Sequence, residues 1–465
     1  MNNNIIKNFK YAFFSQLLAV VSSIVIGFIL PRFISVEEYG YWQLFMLYCI
    51  CMELTLLGIP NGIYLIYAGR LKEDSRQFLK YSFVVVFCIS LCIAIIFGVG
   101  FTYFSENIIV YRWLAVAVLI INIGTFFGYL TQTINDIRCF AFSNFTLFFI
   151  LTIGFSIAIF IECKSVISYI AIFIFAHIIR TSILVWRNKE ILKCQLVVDN
   201  FFTKLVGTSK VGLKILFIDY TNILTLGCFR LMIKQFLGII AFSKMSLALS
   251  MVLFGISFIN QVITTLLSSF RELDKNNLKQ SYLSLRNKIP IFLLLFLVSY
   301  RIVAYGVETW LPAYNNSIIF IMLLYPLVVS EGKMQIIYCL FLKVLRKEKL
   351  LLYINIVYCV LCVLGCYVIL NFLKNQELAI LVIVVISTIK SLITEMKLAT
   401  VIGIGKVDYK KIFIEIFAVL LFLILNFINT TNYIWYMYCA ALIVGVYFVY
   451  LKNDEFSKIK TIYLK

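Results

Sequence analysis

The sequence predicts an all-α protein, a polytopic bundle of about fourteen transmembrane helices. Hydrophobic residues make up 63% of the 465 residues and charged residues only 14%, and the mean hydropathy is +1.00. A soluble domain is about half apolar and about one quarter charged, so this composition suits a lipid environment. Apolar runs of about 20 residues, the length that crosses a bilayer, recur from Tyr11 to Leu451. In lipid, only helices and closed barrels satisfy their own backbone hydrogen bonds. Barrel strands alternate apolar and polar residues, whereas these runs are apolar throughout, so they are predicted to be helices.

The individual helices are predicted from these apolar runs, with boundary errors of about 2–4 residues. The first run is too long for a cleaved signal sequence, so we expect it to be retained as a span. A twelve-span protein is the alternative, in which segment 411–451 does not cross. The predicted spans are 11–34, 41–66, 81–104, 113–134, 143–162, 166–186, 213–233, 240–268, 289–306, 316–342, 350–373, 377–402, 411–429 and 433–451.

The basic residues lie mostly in alternate connections between the predicted spans. The chain has 41 Lys and Arg against 22 Asp and Glu, a formal net charge of +19. Twenty-nine basic residues fall in the two tails and the even-numbered connections, including Arg286 in the eighth, whereas Arg32, Arg112, Lys164 and Lys374 fall on the other side. Cytoplasmic loops are enriched in Lys and Arg. The bias therefore predicts cytoplasmic termini and explains the positive charge without nucleic acid binding.

The longest polar connection, 187–212, separates six predicted spans from eight. We predict an N-terminal lobe over 1–190, a cytoplasmic linker over 191–212, a C-terminal lobe over 213–405, and two further spans with a tail over 406–465. A self-alignment shifted by about 202 residues places Arg32 on Lys234, as in a parallel repeat of six spans. The linker alternates basic and apolar residues after Phe201, so part of it is predicted to lie along the membrane surface.

Charged side chains inside the predicted spans are the candidates for a site, because an ion at the bilayer centre costs about 2.5–3.5 kcal/mol. Asp219, Arg230 and Lys234 are separated by eleven and four residues and so share one helix face. Arg180 lies near the cytoplasmic end of its span, where we expect it to snorkel. The candidates for a translocation cavity are Arg32, Glu53, Asp219, Arg230, Lys234, Lys244, Arg301, Glu331 and Lys333.

Several of these candidates have a structural alternative. Arg230 and Lys234 could snorkel to the interface, although Asp219 is too short to do so. Glu331 and Lys333 follow a proline that can break a helix where a substrate passes, and they could equally form a structural pair. One histidine and thirteen cysteines, mostly in apolar runs, give no reason to expect a metal, a disulfide framework or a cofactor. Basic groups outnumber acidic ones inside the spans, which suits an anionic substrate.

Four short motifs point to a known family. The first predicted span ends in PRFISVEEYG, followed by WQLF and by ELTLLGIP in the second span, and the fourth motif, FRLMIKQFLGIIAFSKMSLA, begins in the seventh span. Together they resemble the Wzx-type polysaccharide-repeat flippases of the multidrug/oligosaccharidyl-lipid/polysaccharide (MOP) exporter superfamily. Gly238 keeps the family's turn and Arg230 keeps its basic residue. Phe229 stands where aspartate is usual, and Ala241 and Ser243 replace a glycine and a tyrosine.

The resemblance implies a flippase, not an enzyme, that moves an undecaprenyl-pyrophosphate-linked oligosaccharide across the bacterial cytoplasmic membrane by alternating access. It implies a role in O-antigen and lipopolysaccharide, capsule or exopolysaccharide assembly, with a polysaccharide polymerase and a chain-length regulator as partners. Lipid II, teichoic acid or a drug stay open as cargoes, although a cationic interior disfavours cationic drugs. The alternative from another class is an integral-membrane enzyme, either a polysaccharide polymerase or an acyltransferase. The short outer loops disfavour a polymerase, and His177 with Arg180 is a poor acyl-transfer site.

Overall fold

All regular elements in the described part of the computed structural model are helical. The structure describes residues 2–68, 73–100, 108–193, 200–270, 275–404 and 408–427, with all their side chains except those of 2–12, 73–75, 108, 109, 222, 256–270 and 275–277. These residues form α-helices with short 3-10 and π segments, and they contain no β-strand. The all-α polytopic bundle predicted from the sequence is therefore confirmed.

The chain divides into two compact units, Met1–Gly227 and Cys228–Lys465. Helix α10 begins in the first unit and continues past its last residue. The helices that begin in the first unit are α1 Asn2–Ile24, α2 Leu30–Phe33, α3 Val36–Cys51, α4 Ile59–Tyr67, α5 Glu73–Ile95, α6 Ile108–Thr133, α7 Ile137–Phe160, α8 Val166–Arg187, α9 Lys189–Lys193 and α10 Phe201–Phe270.

The second unit contains the rest of α10 and eight further helices in the described residues. A 3-10 segment joins α11 to α12, and a π segment joins α14 to α15. These helices are α11 Lys275–Phe296, α12 Tyr300–Trp310, α13 Ser317–Leu324, α14 Leu327–Lys333, α15 Leu340–Val344, α16 Glu348–Phe372, α17 Gln376–Ile402 and α18 Tyr409–Phe427.

Ten of the described helices are long and apolar enough to cross a bilayer, or eleven when the bent pair α3 and α4 counts as one span. The seventh and eighth predicted spans, 213–233 and 240–268, both lie on α10. The thirteenth, 411–429, corresponds to α18, and the fourteenth, 433–451, lies outside the described residues.

Polar side chains fix several helix starts. Ser35 accepts a hydrogen bond from the Glu38 N–H at the start of α3, Asp136 caps α7, and Asn375 caps α17. The Glu38 carboxylate also accepts the Val166 N–H, the first of α8, at 2.6 Å. The PRFISVEEYG motif thus holds two helix N-termini, one of them 128 residues away in the chain.

The second predicted span, 41–66, is broken and not continuous. Helix α3 runs into the 3-10 segment Met52–Leu56, and α4 leaves at an angle of 57°. Leu57 and Gly58 have φ values of 51° and 69°, so the backbone turns out of the helix there. Pro60 lies in the first turn of α4. Proline has no backbone N–H and is tolerated there, because the N–H groups of the first turn have no intrahelical acceptor.

The helix break packs closely against the first part of α10. A Cβ on Gly212 would lie 1.8 Å from the carbonyl oxygen of Gly58, and one on Gly62 would lie 2.1 Å from that of Thr208. Small residues allow two helix backbones to approach in this way. Residues 208–212, part of the predicted linker, therefore pack against the second span.

Helix α10 is interrupted at Gly238. A straight helix of its 70 residues would be about 105 Å long, several times the thickness of a bilayer core. Gly238 has φ 86° and ψ 178°, a conformation that essentially only glycine adopts. The interruption thus lies at the glycine that the family resemblance assigns to a turn.

Candidate functional site

Glu53 lies at the helix break of the first unit, where three neutral donors hold its carboxylate. Its Oε1 accepts hydrogen bonds from the Tyr129 hydroxyl at 2.9 Å and Asn61 Nδ2 at 3.2 Å. Its Oε2 accepts one from the Tyr220 hydroxyl at 2.8 Å. None of the described Lys, Arg or His side chains forms a salt bridge with it. Glu53 is half-buried, and its bonds join α4, α6 and α10.

Arg180 on α8 directs its side chain towards two neighbouring helices of the first unit, α6 and α7. Its Nε donates a hydrogen bond to Asn144 Oδ1 on α7 at 2.9 Å. Its guanidinium passes over Gly124 and Gly128 on α6, where added Cβ atoms would lie 3.4 Å from Nη1 and Nη2. Within the described part of the chain no carboxylate pairs with Arg180. The side chain therefore brings an unneutralised positive charge between three helices.

A network of buried charges occupies the second unit. Arg286 on α11 contacts Glu395 on α17 through Nε and Glu415 on α18 through Nη1, the latter at 2.7 Å. Lys333 on α14 contacts the other oxygen of Glu415 at 2.5 Å, and the Tyr338 hydroxyl donates to Glu395 at 2.6 Å. All four charged side chains are at most 7% exposed. Four helices are thus joined through ionised groups.

Glu331, on the same short helix as Lys333, makes a separate set of contacts. Its Oε1 accepts a hydrogen bond from the Ser387 hydroxyl at 2.8 Å and lies 3.4 Å from Lys390 Nζ. Lys390 also lies over the Tyr358 ring, 4.2 Å from its centroid. Glu331 and Lys333 therefore pair with other helices and not with each other.

The remaining candidates from the sequence differ in exposure. Arg32 and Asp219 are exposed, Arg230 is buried, and Lys234, Lys244 and Arg301 are half-buried. Asp219, Arg230 and Lys234 lie on the uninterrupted part of α10 before its break, so their helical spacing is retained. Lys244 has no acidic partner among the described side chains. It and Arg180 are thus unneutralised cations, one in each unit.

Arg286, which the sequence analysis assigned to a cytoplasmic connection, lies on α11 and is buried against other helices of the second unit. The signal was present in the spacing of its neighbours. Leu278, Tyr282, Arg286, Leu293 and Leu297 follow each other at four- or seven-residue steps and are all buried. Such a stripe marks the inward face of a helix.

A cavity of about 280 Å³ lies beside the charge network, between α14, α17 and α18. Most of its wall is apolar, from residues such as Val329, Leu392 and Ile416. Lys333 and Glu415 also line it, but they neutralise each other. The cavity therefore suits an apolar group better than an anion.

Solved structures match this chain in fold, whereas no protein-family model and no curated protein sequence matches it. "Lipid II flippase MurJ, inward closed conformation" has a TM-score of 0.66 and 12% identity over 98% of this chain and 100% of its own. An inward-facing MATE-family multidrug transporter of the MOP superfamily has a TM-score of 0.66 and 12% identity over 84% of this chain and 96% of its own. An outward-facing MATE transporter has a TM-score of 0.57 and 13% identity over 84% and 93%. The chain therefore has the fold of MOP-superfamily transporters.

Proposed function

We propose that the protein is a flippase that moves an undecaprenyl-pyrophosphate-linked oligosaccharide repeat to the outer leaflet of the bacterial cytoplasmic membrane. The extent of the fold likeness carries this proposal. The lipid II flippase matches 98% of this chain and all of its own, whereas the MATE transporters match 84% of this chain. Likeness along nearly the whole chain favours a lipid-linked cargo over a drug.

The unneutralised cations support an anionic cargo. A pyrophosphate that leaves water needs charge-assisted hydrogen bonds, and arginine and lysine supply them. Arg180 and Lys244 have no acidic partners in the described parts of the two units. We assign each of them a phosphate-binding role within its own unit, with Arg230, Lys234 and Arg301 as further candidates in the second unit. Lys333 is paired with Glu415 and has a structural role instead.

The same proposal implies an orientation in the membrane and a set of partner proteins. Both termini face the cytoplasm, the prenyl chain of the cargo stays in the bilayer, and the protein makes no covalent bond. A polysaccharide polymerase would receive the repeat on the outer face, under a chain-length regulator. Lipid II transport is the second candidate, because the same end-to-end likeness favours it.

Removal of the protein tests the class of cargo. In a deletion strain we expect complete single repeats, already attached to their lipid, to accumulate in the cytoplasmic leaflet. The measurement is the size of the lipid-linked sugar and its sensitivity to a glycosidase that cannot cross the membrane. Complete repeats that the glycosidase reaches from outside, or truncated repeats, would contradict the proposal. Accumulated lipid II would establish the second candidate.

Complementation of the same strain separates the two cations from other basic residues. Arg180→Gln and Lys244→Gln should each slow flipping about 10- to 100-fold, the equivalent of one hydrogen bond to a charged group. The matched controls are Arg187→Gln, on the same helix as Arg180, and Lys374→Gln, both of which alter exposed side chains. Equal polysaccharide in all four strains, at equal protein level, would remove these cations from the site.

A further inference from the structure

The cavity beside the charge network is large for the interior of a packed helix bundle. Its volume is about 280 Å³, and it lies between α14, α17 and α18. Apolar cavities of about 150 Å³ in other proteins bind benzene or xenon. Protein interiors are otherwise close-packed, and atoms that line a void lose the contacts that a neighbour would make. An apolar group of suitable size is therefore favoured in this cavity.

The polar side chains in the cavity wall offer few hydrogen bonds to water. Thr388 donates to a carbonyl oxygen of its own helix at 2.8 Å, and Ser330 shares a hydrogen bond with another serine hydroxyl at 3.0 Å. Ser391 is 1% exposed, and its hydroxyl has no partner. An ordered water needs two to four polar partners. Apart from the region of the Lys333–Glu415 pair, the cavity therefore suits hydrocarbon better than water.

The cavity opens between α17 and α18, on a surface that faces lipid. Three residues of its wall are also exposed on the outside of the unit: Val385 is 54% exposed, Ile389 48% and Leu420 51%. Lipid chains are as apolar as such side chains. Ile389 is the middle residue of α17, which is long and apolar enough to cross a bilayer. The opening therefore lies near the centre of the hydrocarbon core, far from lipid head groups.

The wall opposite the opening is buried. It contains Val329 and Ser330 of α14, which are 4% and 3% exposed. The preceding residue, Val328, is fully buried and lies outside the cavity wall. A chain that enters between α17 and α18 therefore meets α14 at Val329 and Ser330, which lipid on the outer surface of the unit does not reach.

The Lys333–Glu415 pair gives an occupant of the cavity a structural consequence. The two side chains line the cavity and contact each other at 2.5 Å. Their charges cancel, so the wall does not attract a charged head group. Opposite charges attract more strongly in a medium of low dielectric constant. Hydrocarbon beside this pair, in place of water, therefore strengthens the contact of α14 with α18.

We propose that this cavity binds the end of one acyl chain of a membrane phospholipid, which enters between α17 and α18 and reaches α14. Phospholipid chains surround the opening in a bilayer, and the opening lies too deep for a head group. The bound chain completes the packing of the three helices and keeps water from the Lys333–Glu415 pair. The site does not depend on which cargo the protein moves.

Photo-cross-linking of the full chain in liposomes tests the site. The probe is phosphatidylglycerol with a diazirine near the end of one acyl chain, and mass spectrometry locates the labelled residues. We expect label on Val329 or Ser330 and none on Val328. Ile416→Trp enlarges a side chain of the cavity wall and should abolish the label on α14. The matched control is Ile424→Trp on the same helix, which alters a 53% exposed side chain outside the wall and should leave that label unchanged.

Two results of this labelling would overturn the proposal. One is the absence of label from both Val329 and Ser330 in the wild type, and the other is equal label on α14 in Ile416→Trp and Ile424→Trp. Val419→Phe, a smaller change in the same wall, replaces Ile416→Trp if that variant does not fold.

A second probe distinguishes the phospholipid from another source of hydrocarbon. It is a polyprenyl phosphate with a diazirine at the end of its chain. Label on α14 from this probe but not from phosphatidylglycerol would overturn the choice of occupant.

Thermal unfolding in detergent measures the consequence for stability. Added phosphatidylglycerol should raise the Tm of the wild type and of Ile424→Trp more than that of Ile416→Trp, because the tryptophan already fills part of the cavity. An equal rise in all three proteins would contradict a stabilising role for the bound chain.

Discussion

At the scale of single residues, the main feature of the second unit is its buried glutamates, which contact lysine and arginine side chains. Moving an ion from water into a protein interior costs several kcal/mol, and its partner's charge recovers this only when the geometry is good. Glu415 receives two cations, Arg286 and Lys333, which come from different helices. The network therefore contributes little to the net free energy of unfolding. Its main effect is to favour one arrangement of the helices over others. Loss of one partner is the costly event.

Removal of Lys390 should show this cost. Lys390→Met removes a cation that lies 3.4 Å from the buried Glu331 carboxylate and should lower the free energy of unfolding by about 3–5 kcal/mol. The double variant Lys390→Met, Glu331→Gln should recover most of the loss, because Ser387 can still bind the amide. The measurement is denaturant unfolding of the detergent-solubilised protein.

An exposed ion pair supplies the control for that experiment. Arg187→Gln removes a contact with Asp136 at 2.6 Å, but the arginine side chain is 55% exposed. Solvent screens such a pair, so the change should lower the free energy of unfolding by at most about 1 kcal/mol. Equal losses from Lys390→Met and Arg187→Gln would contradict the buried network, as would a double variant no better than the single one.

The sequence identified charges inside spans more readily than it identified their partners. Glu53, Glu331 and Lys333 are visible because each interrupts an apolar run. Their contacts could not be predicted. Lys333 and Glu415 are 82 residues apart, and a single sequence does not show which residues of two distant helices lie opposite each other. Arg286 was missed because a basic residue near a span boundary resembles a loop residue.

At the scale of elements, the crossing of α4 and α10 has the shortest distances at the glycines of the described residues. Gly58, Gly62 and Gly212 provide it, and each would place a Cβ less than 2.5 Å from the backbone of the facing segment. Real side chains do not tolerate such distances, so the helices approach only because these positions are glycine. Glu53 lies at this crossing, and its geometry depends on it.

A pair of alanine substitutions on α10 tests the crossing. Gly212→Ala places its Cβ 1.8 Å from the Gly58 carbonyl oxygen and should destabilise the protein by about 1–3 kcal/mol or more. Gly207→Ala lies five residues earlier on the same helix, with nothing within 4 Å of its Cβ. Because alanine favours helix, that control should be neutral or stabilising by up to about 1 kcal/mol. Thermal unfolding in detergent gives both values; an equal Tm for the two variants would contradict the crossing.

Elements were predictable where the local sequence determines them. Apolar runs gave the spans, and Gly238 marked the interruption of α10. The break between α3 and α4 was missed, although ELTLLGIP contains its glycine and proline, because the surrounding run is apolar enough for one straight span. The contact of residues 208–212 with the break was not predicted, since the amphipathic pattern of a helix does not identify the surface that its apolar face contacts.

Sidedness is a property of the whole molecule, and it follows from the distribution of charge. The described helix ends that carry clusters of basic residues include the end of α8 with α9 and the start of α16. Isolated lysines lie at the opposite ends, after α7 and after α16. Clustered Lys and Arg near the ends of spans stay on the cytoplasmic side during insertion. The two sets of connections should therefore face opposite compartments.

Lysine-to-cysteine substitutions in a background without native cysteines test this orientation. Lys164 and Lys374 are exposed at predicted outer connections, and Lys189 and Lys347 are exposed at predicted inner ones. A maleimide that cannot cross the membrane should label Lys164→Cys and Lys374→Cys in intact cells, but label Lys189→Cys and Lys347→Cys only after the membrane is opened. All four replace the same residue type at exposed sites, so reactivity differs by compartment alone. Labelling of Lys189→Cys in intact cells would reverse the orientation of the first unit. Labelling of Lys347→Cys would reverse that of the second, and with it the face from which a cytoplasmic cargo can enter.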